Sequence, residues 1–157
     1  MNTCEVFETA IRDLIVEFCP DTIPPSWLRC AQNMCDLVHP DALTSESSIF
    51  ITASPKAWRD EGATWDVRFA IQIDSLSDSD RPARRRAELF EAVETLFDQL
   101  LAVAGETDER ARFIEFVQRE RPTFVFGGFT PDGDSGGAVI ADGRYVMYFG
   151  GTIHFSL

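Results

Sequence analysis

The sequence predicts an α+β fold: one domain, 1–157, with a mainly antiparallel sheet of about four strands packed against two to four helices. Three observations predict it. Apolar residues recur at helical spacing near the start and the middle of the chain. Strict two-residue alternation runs through 64–74 and again towards the end. No repeat and no linker separates these stretches. With 45% apolar residues and 13 Phe, a chain of 157 residues can bury a core without staples.

From Thr3 onward, Val6, Phe7, Ala10, Ile11, Leu14, Ile15 and Phe18 form a helical stripe that Pro20 stops. After Pro24 and Pro25, Ser26 can cap a short second helix carrying Trp27, Leu28, Ala31, Met34, Cys35 and Val38 inward and ending at Pro40. The period then changes. Ile49, Ile51 and Ala53 alternate with Ser48, Phe50 and Thr52 in a strand broken at Pro55. In TWDVRFAIQID, 64–74, Trp65, Val67, Phe69, Ile71 and Ile73 take one face and Asp66, Arg68, Ala70, Gln72 and Asp74 the other. That is an antiparallel strand with one wet side.

The polar turn SLSDSD leads to a long helix entered near Asp80 and Pro82, with Leu89, Phe90, Val93, Leu96, Phe97, Leu100 and Leu101 on one stripe and Gly105 closing it. A shorter helix from Thr107 to Arg121 buries Phe113, Ile114, Phe116 and Val117 until Pro122 returns the chain to extended structure. The end reads as strand. Phe124–Phe129 and Arg144–Leu157 flank a glycine-rich stretch, and Tyr145, Met147, Phe149, Ile153 and Phe155 alternate along the last of them.

Charge narrows the function classes. Fourteen Lys and Arg against 26 Asp and Glu give a net charge of -12, a surface that repels phosphate backbones and anionic lipid. Sequence-specific nucleic-acid binding is disfavoured. No apolar run approaches the ~18 residues of a membrane span, and MNTCEVFETAIRDLIVEF mixes acids into an amphipathic pattern unlike an export signal. The chain is expected in the cytoplasm, where Cys4, Cys19, Cys30 and Cys35 read as free buried thiols. Cys30, Cys35 and His39 match no compact zinc spacing, and no phosphate loop, dinucleotide fingerprint or Cys-x-x-C occurs. Neither metal nor cofactor is expected.

One motif demands a decision. Gly133-Asp134-Ser135-Gly136-Gly137 spells the run around the nucleophilic serine of chymotrypsin-like proteases. Carried over, it would make Ser135 the nucleophile, with Gly133 and Ser135 supplying the oxyanion N–H groups. Those proteases are paired β-barrels almost without early helix, whereas this chain is helix-rich. His39 stands at a helix end without the flanking residues the family uses, and His154 follows the serine. Pro-Asp, Asp-Gly and Gly-Gly between two strands supply what a hairpin loop needs. The turn reading is preferred, and no catalytic residue is assigned.

Asp78, Asp80, Asp132 and Asp134 could gather as an acidic cluster, but they fit no twelve-residue calcium loop and read as solvated loop acids. Arg81, Arg84, Arg85 and Arg86 crowd the first turn of the long helix, where the macrodipole disfavours cations by roughly 0.3–1 kcal/mol each. Two compensations are open. The arginines can pair with Asp78, Asp80 and Glu88, or they can face carboxylates of a neighbouring subunit.

The order of elements carries a resemblance. A first helix, a strand, DEGATWDVRFAIQID, a polar turn, a long and a short helix, then FVFGGFTPDGDSGGAVIADGRYVMYFGGTIHFSL resembles the tail terminator, or tail completion, proteins of long-tailed phages of the lambda type. It spans about residues 45–157 plus the first helix and rests on order and texture. The stretch 21–40 departs from the pattern and reads as a helical insertion. The resemblance implies a non-enzymatic virion protein, assembled in the host cytoplasm, that sits as a homohexameric ring at the head–tail junction. Such a ring caps the tail tube, ends its polymerisation and offers the head-docking surface. Implied partners are other copies, the tail tube protein and the head–tail connector protein. Candidate interface residues are Arg84, Arg85, Arg86, Asp78, Asp80, Asp132 and Asp134. The alternatives are another head–tail joining (neck) protein, or an acidic cytoplasmic inhibitor that mimics DNA.

Overall fold

Asn2 and Glu5 start the first helix by reciprocal capping: the Glu5 N–H donates to Asn2 Oδ1 at 3.0 Å and the Asn2 N–H to Glu5 Oε2 at 2.9 Å. The helix α1 (Thr3–Phe18) ends where the Cys19 N–H bonds the Ile15 carbonyl. In the structure, a computed structural model, the described residues are 2–23, 28–30, 48–58, 64–75, 82–101, 107–132, 138–141 and 144–156. They continue as β1 (Leu28–Cys30), β2 (Ser48–Trp58), β3 (Thr64–Ser75), α2 (Pro82–Leu101), α3 (Asp108–Glu120), β4 (Val125–Pro131), β5 (Ala138–Ala141) and β6 (Arg144–Ser156). The α+β class is as the sequence predicts.

All six strands form one sheet in the order β1-β2-β3-β6-β4, with β5 also on β6. Every pairing is antiparallel except the short parallel one of β1 with β2. β6 is therefore internal, between β3 and β4, and its middle, Phe149–Ile153, is buried on both faces. Phe149, Ile153 and Phe155 are buried in the core, while Tyr148 on the other face is exposed.

All three helices pack on the face that holds Phe149 and Phe155. From α1, Phe7 meets Phe155 at 4.9 Å between ring centroids, and it also contacts Phe113 of α3 at 5.9 Å and Phe124 at 5.8 Å. From α2, Phe90 and Phe97 stand 5.0 and 5.9 Å from Phe149. Rings at these separations add to an area burial worth roughly 1.5–3 kcal/mol per side chain. The junction of α2 with α3 is closed by polar groups: Arg110 donates twice to the Leu100 carbonyl, and the Thr107 hydroxyl, which caps α3, donates to the Gln99 carbonyl.

Two expectations change. Leu28–Cys30 is strand, not part of a helix running on from Ser26: its backbone pairs with Ile49–Ile51, a tertiary partner that overrides local spacing. The rest of that predicted helix lies outside the described residues. Pro55 does not break β2, which runs on to Trp58 with a register irregularity between Pro55 and Ala57. The described pairing of β1 ends at Ile51, and proline is tolerated in a strand where no neighbour needs its N–H or at a bulge. Among the described residues the sheet has six strands, four longer ones and the short β1 and β5, which no local pattern announces. The glycine-rich stretch read as a turn, 133–137, lies outside the described residues; the strands on either side of it, β4 and β5, both pair with β6, one beyond the other along the same side. β5 and β6 pair down to Ala141↔Arg144, and the sequence between them, Asp142-Gly143, is a dipeptide that two-residue hairpins favour.

Candidate functional site

The face of the sheet opposite the helices carries a row of polar side chains. Register places Asp66 of β3 opposite His154 of β6, and His154 opposite Gly128 of β4. Asp66 Oδ1 lies 2.7 Å from His154 Nδ1, and Thr130 Oγ1 lies 2.8 Å from His154 Nε2. In the tautomer with its proton on Nδ1, the ring donates to Asp66 and accepts the Thr130 hydroxyl through Nε2. The side chain of Asp66 is 13% exposed and that of His154 30%.

The backbone beside this row needs a glycine. Gly128 has φ +129, a conformation that side chains rarely adopt, and nothing lies within 4 Å of where its Cβ would stand. It follows the register irregularity between Phe126 and Gly128, which lets β4 keep Phe126 and Phe129 packed against the core on either side of the bulge. On the same open face Tyr148 is 36% exposed and Val125 60%.

The predicted site residues fall in different places. Arg84, Arg85 and Arg86 lie in the first turn of α2, which contains no acidic residue. Asp132 extends the edge pairing, its N–H donating to the Gly150 carbonyl at 2.9 Å. Asp78, Asp80, Asp134 and Ser135, like Cys35 and His39, lie outside the described residues. The three described cysteines are free, and burial pushes their thiols up from the usual range, so they are poor nucleophiles. Among the described residues no three His, Cys, Asp or Glu side chains converge as a metal site, and no helix is long and apolar enough to cross a membrane.

A second polar group is buried on the helical side. Glu8 of α1 is 2% exposed, among the apolar side chains of the core. Its Oε1 accepts the Ala53 N–H of β2 at 3.0 Å. Burial pushes its carboxyl up to about 7, against the opposing pull of that hydrogen bond, and Glu5 one turn earlier adds to the rise.

The sequence reading placed Asp66 on the wet face of its strand and left His154 without a partner. The 88 residues between them hide the pairing from any local pattern. Compared with models of known families and with curated proteins, the chain matches none.

Proposed function

We propose that the chain is a non-enzymatic, ring-forming virion protein that caps the tail tube of a long-tailed phage, ends its polymerisation and provides the surface on which the head docks. One observation carries this reading beside the resemblance in element order. Among the described residues, α1, α2 and α3 all pack on one face of the sheet, and the other presents Val125 and Tyr148 to solvent beside the Asp66–His154–Thr130 row and the buried Thr152. An apolar and hydrogen-bonding surface of that kind suits a neighbouring copy or the end of a tube. Heterologous contacts that close into a hexamer would cover it. Arg84, Arg85 and Arg86 at the start of α2 are the proposed cationic half of the subunit contact, with Asp78, Asp80, Asp132 and Asp134 as the acidic half. The negative surface gives a lumen to which passing DNA would not adhere.

Tail-tube polymerisation with and without the protein tests this reading. Tubes that stop at a uniform length and carry a ring at one end support it, and tubes that elongate unchecked contradict it. A ring that joins heads without limiting tube length would move the protein to the neck. Co-purification with a basic cytoplasmic partner, with no ring, would favour the acidic inhibitor.

A second reading has one observation in its favour. The chain Asp66–His154–Thr130 has the connectivity of an acid–base relay behind a hydroxyl nucleophile. Thr130 is exposed on an edge strand and its hydroxyl is secondary, which makes it a weak candidate beside assembly. Labelling by an activated ester that disappears in Thr130→Val would revive it.

A further inference from the structure

The backbone of β2 presents a hydrogen-bonding edge that β1 covers only in part. Leu28, Arg29 and Cys30 pair with Ile49, Phe50 and Ile51, and the described pairing ends there. Two residues further on, the Ala53 N–H is met by the Glu8 side chain of α1, 45 residues away. The same residue is gripped again through its main chain, since Cys30 Sγ lies 3.7 Å from the Glu8 carbonyl oxygen. Glu8 thus joins α1, β1 and β2 at one point.

The chemistry of that point is unusual. Glu8 is almost wholly buried, and among the described residues its one side-chain hydrogen bond is the Ala53 N–H and no cation acts on its carboxyl. A carboxylate held so has lost its water and gained a single neutral donor, which leaves a desolvation penalty largely uncompensated. A neutral carboxyl has no such penalty and still accepts through Oε1. On its own helix Glu5 disfavours ionisation, the Cys4 thiol, pushed up by burial, feels the charge of Glu8, and Arg12 and Asp13 act on Cys30. From β1 it faces the Cys30 thiol, itself pushed up by burial, and from β2 the Ala53 N–H. The charged groups of α3 meet α1 on another flank: Arg119 and Glu120 line a groove of ≈ 180 Å³ with Thr9 and Asp13, and Arg112 bonds Glu17. From α2, the Ala92 carbonyl lies at Cys19.

We propose that Glu8 is a proton-operated latch, which in its neutral form fastens α1 and β1 to the margin of β2 and on ionisation leaves the core for water, freeing the Ala53 N–H. The latch is a property of the fold and does not depend on the proposed function. Its direction follows from linkage. The carboxyl takes its proton at about 7 when latched and at its ordinary value of 4.5 when released, so opening becomes more frequent as pH rises between those values and levels off above them.

Hydrogen exchange at the Ala53 amide, corrected for the intrinsic rate, tests this in the whole chain. From pH 5 to pH 8 the protection of Ala53 should fall on the order of fiftyfold in the wild type, and Glu8→Gln, which keeps the acceptor without the charge, should hold it constant. Protection that is independent of pH in the wild type, or that falls equally in Glu8→Gln, would overturn the latch. The wild type alone gives a second reading: in a carbon-detected titration Glu8 should have its midpoint near neutrality, with the Ala53 amide shift moving in step. A midpoint in the ordinary carboxylate range would also end the proposal.

Discussion

His154 and Asp66 stand directly opposite each other on paired central strands, joined at 2.7 Å from Nδ1 to Oδ1. The contact fixes the ring so that its other nitrogen reaches Thr130 on the next strand, and three strands are tied across the open face. A network of this kind is coupled. In a double-mutant cycle by urea unfolding, Asp66→Ala and His154→Ala should show a coupling of about 0.5–1.5 kcal/mol. Additive effects would mean that the pair does not form in solution.

Phe7 lies fully buried where α1, α3 and β6 meet, in contact with Phe113, Phe124 and Phe155. Phe7→Ala should therefore cost about 3–5 kcal/mol in denaturant unfolding. Val125→Ser, on the open face, should change the stability of the monomer by less than about 0.5 kcal/mol. Comparable costs for the two would contradict the assignment of faces.

Gly151 on β6 lies beneath Phe129, and a Cβ there would overlap the Phe129 ring and the Thr130 carbonyl oxygen. Backbone cannot move aside as a flexible side chain can. Gly151→Ala is expected to cost about 1–3 kcal/mol, as overpacking does, and to broaden the amide resonances of β4. A neutral outcome in the melting temperature would show that β4 is not seated as described.

Glu8 also sets a sign for global stability. Its carboxyl is raised from 4.5 to about 7 on folding, so the folded state holds the proton more tightly than the unfolded one. The stability that follows is fully present below pH 4.5, is lost as pH rises to about 7, and is then level. Glu8→Gln minus wild type should accordingly gain up to about 3 kcal/mol between pH 5 and pH 8. A difference that stays flat across this range would contradict the buried, unpaired carboxyl.

Much of this was legible where one residue pattern decides one element. The stripe Val6 to Phe18 and the alternation of the last strand report directly on faces, and the helices that cap at Asn2 and Thr107 announce their own starts. What was hidden depends on partners far along the chain. Leu28–Cys30 is too short for periodicity and is strand only because Ile49–Ile51 lies beside it. Nothing in the local pattern announces that β4 and β5 share one side of β6. Glu8 sits among apolar neighbours on a helical stripe that the sequence reading counted without it, and its acceptor role needs an N–H from β2. The site row was missed for the same reason, since Asp66, Thr130 and His154 come from three separated strands.

The central claim is closure of this chain into a ring through its open face. Native mass spectrometry with light scattering, at low and moderate salt and with and without purified tail tube, measures it directly. Each copy carries a charge of -12, so self-repulsion opposes closure and assembly should strengthen as salt shortens the reach of that field to ~8 Å at physiological ionic strength. The expected result is a hexamer on the tube, lost when Val125 and Tyr148 are both replaced by Asp and weakened when Arg84, Arg85 and Arg86 become Gln. A strict monomer in every condition, with the tube present, would contradict the account.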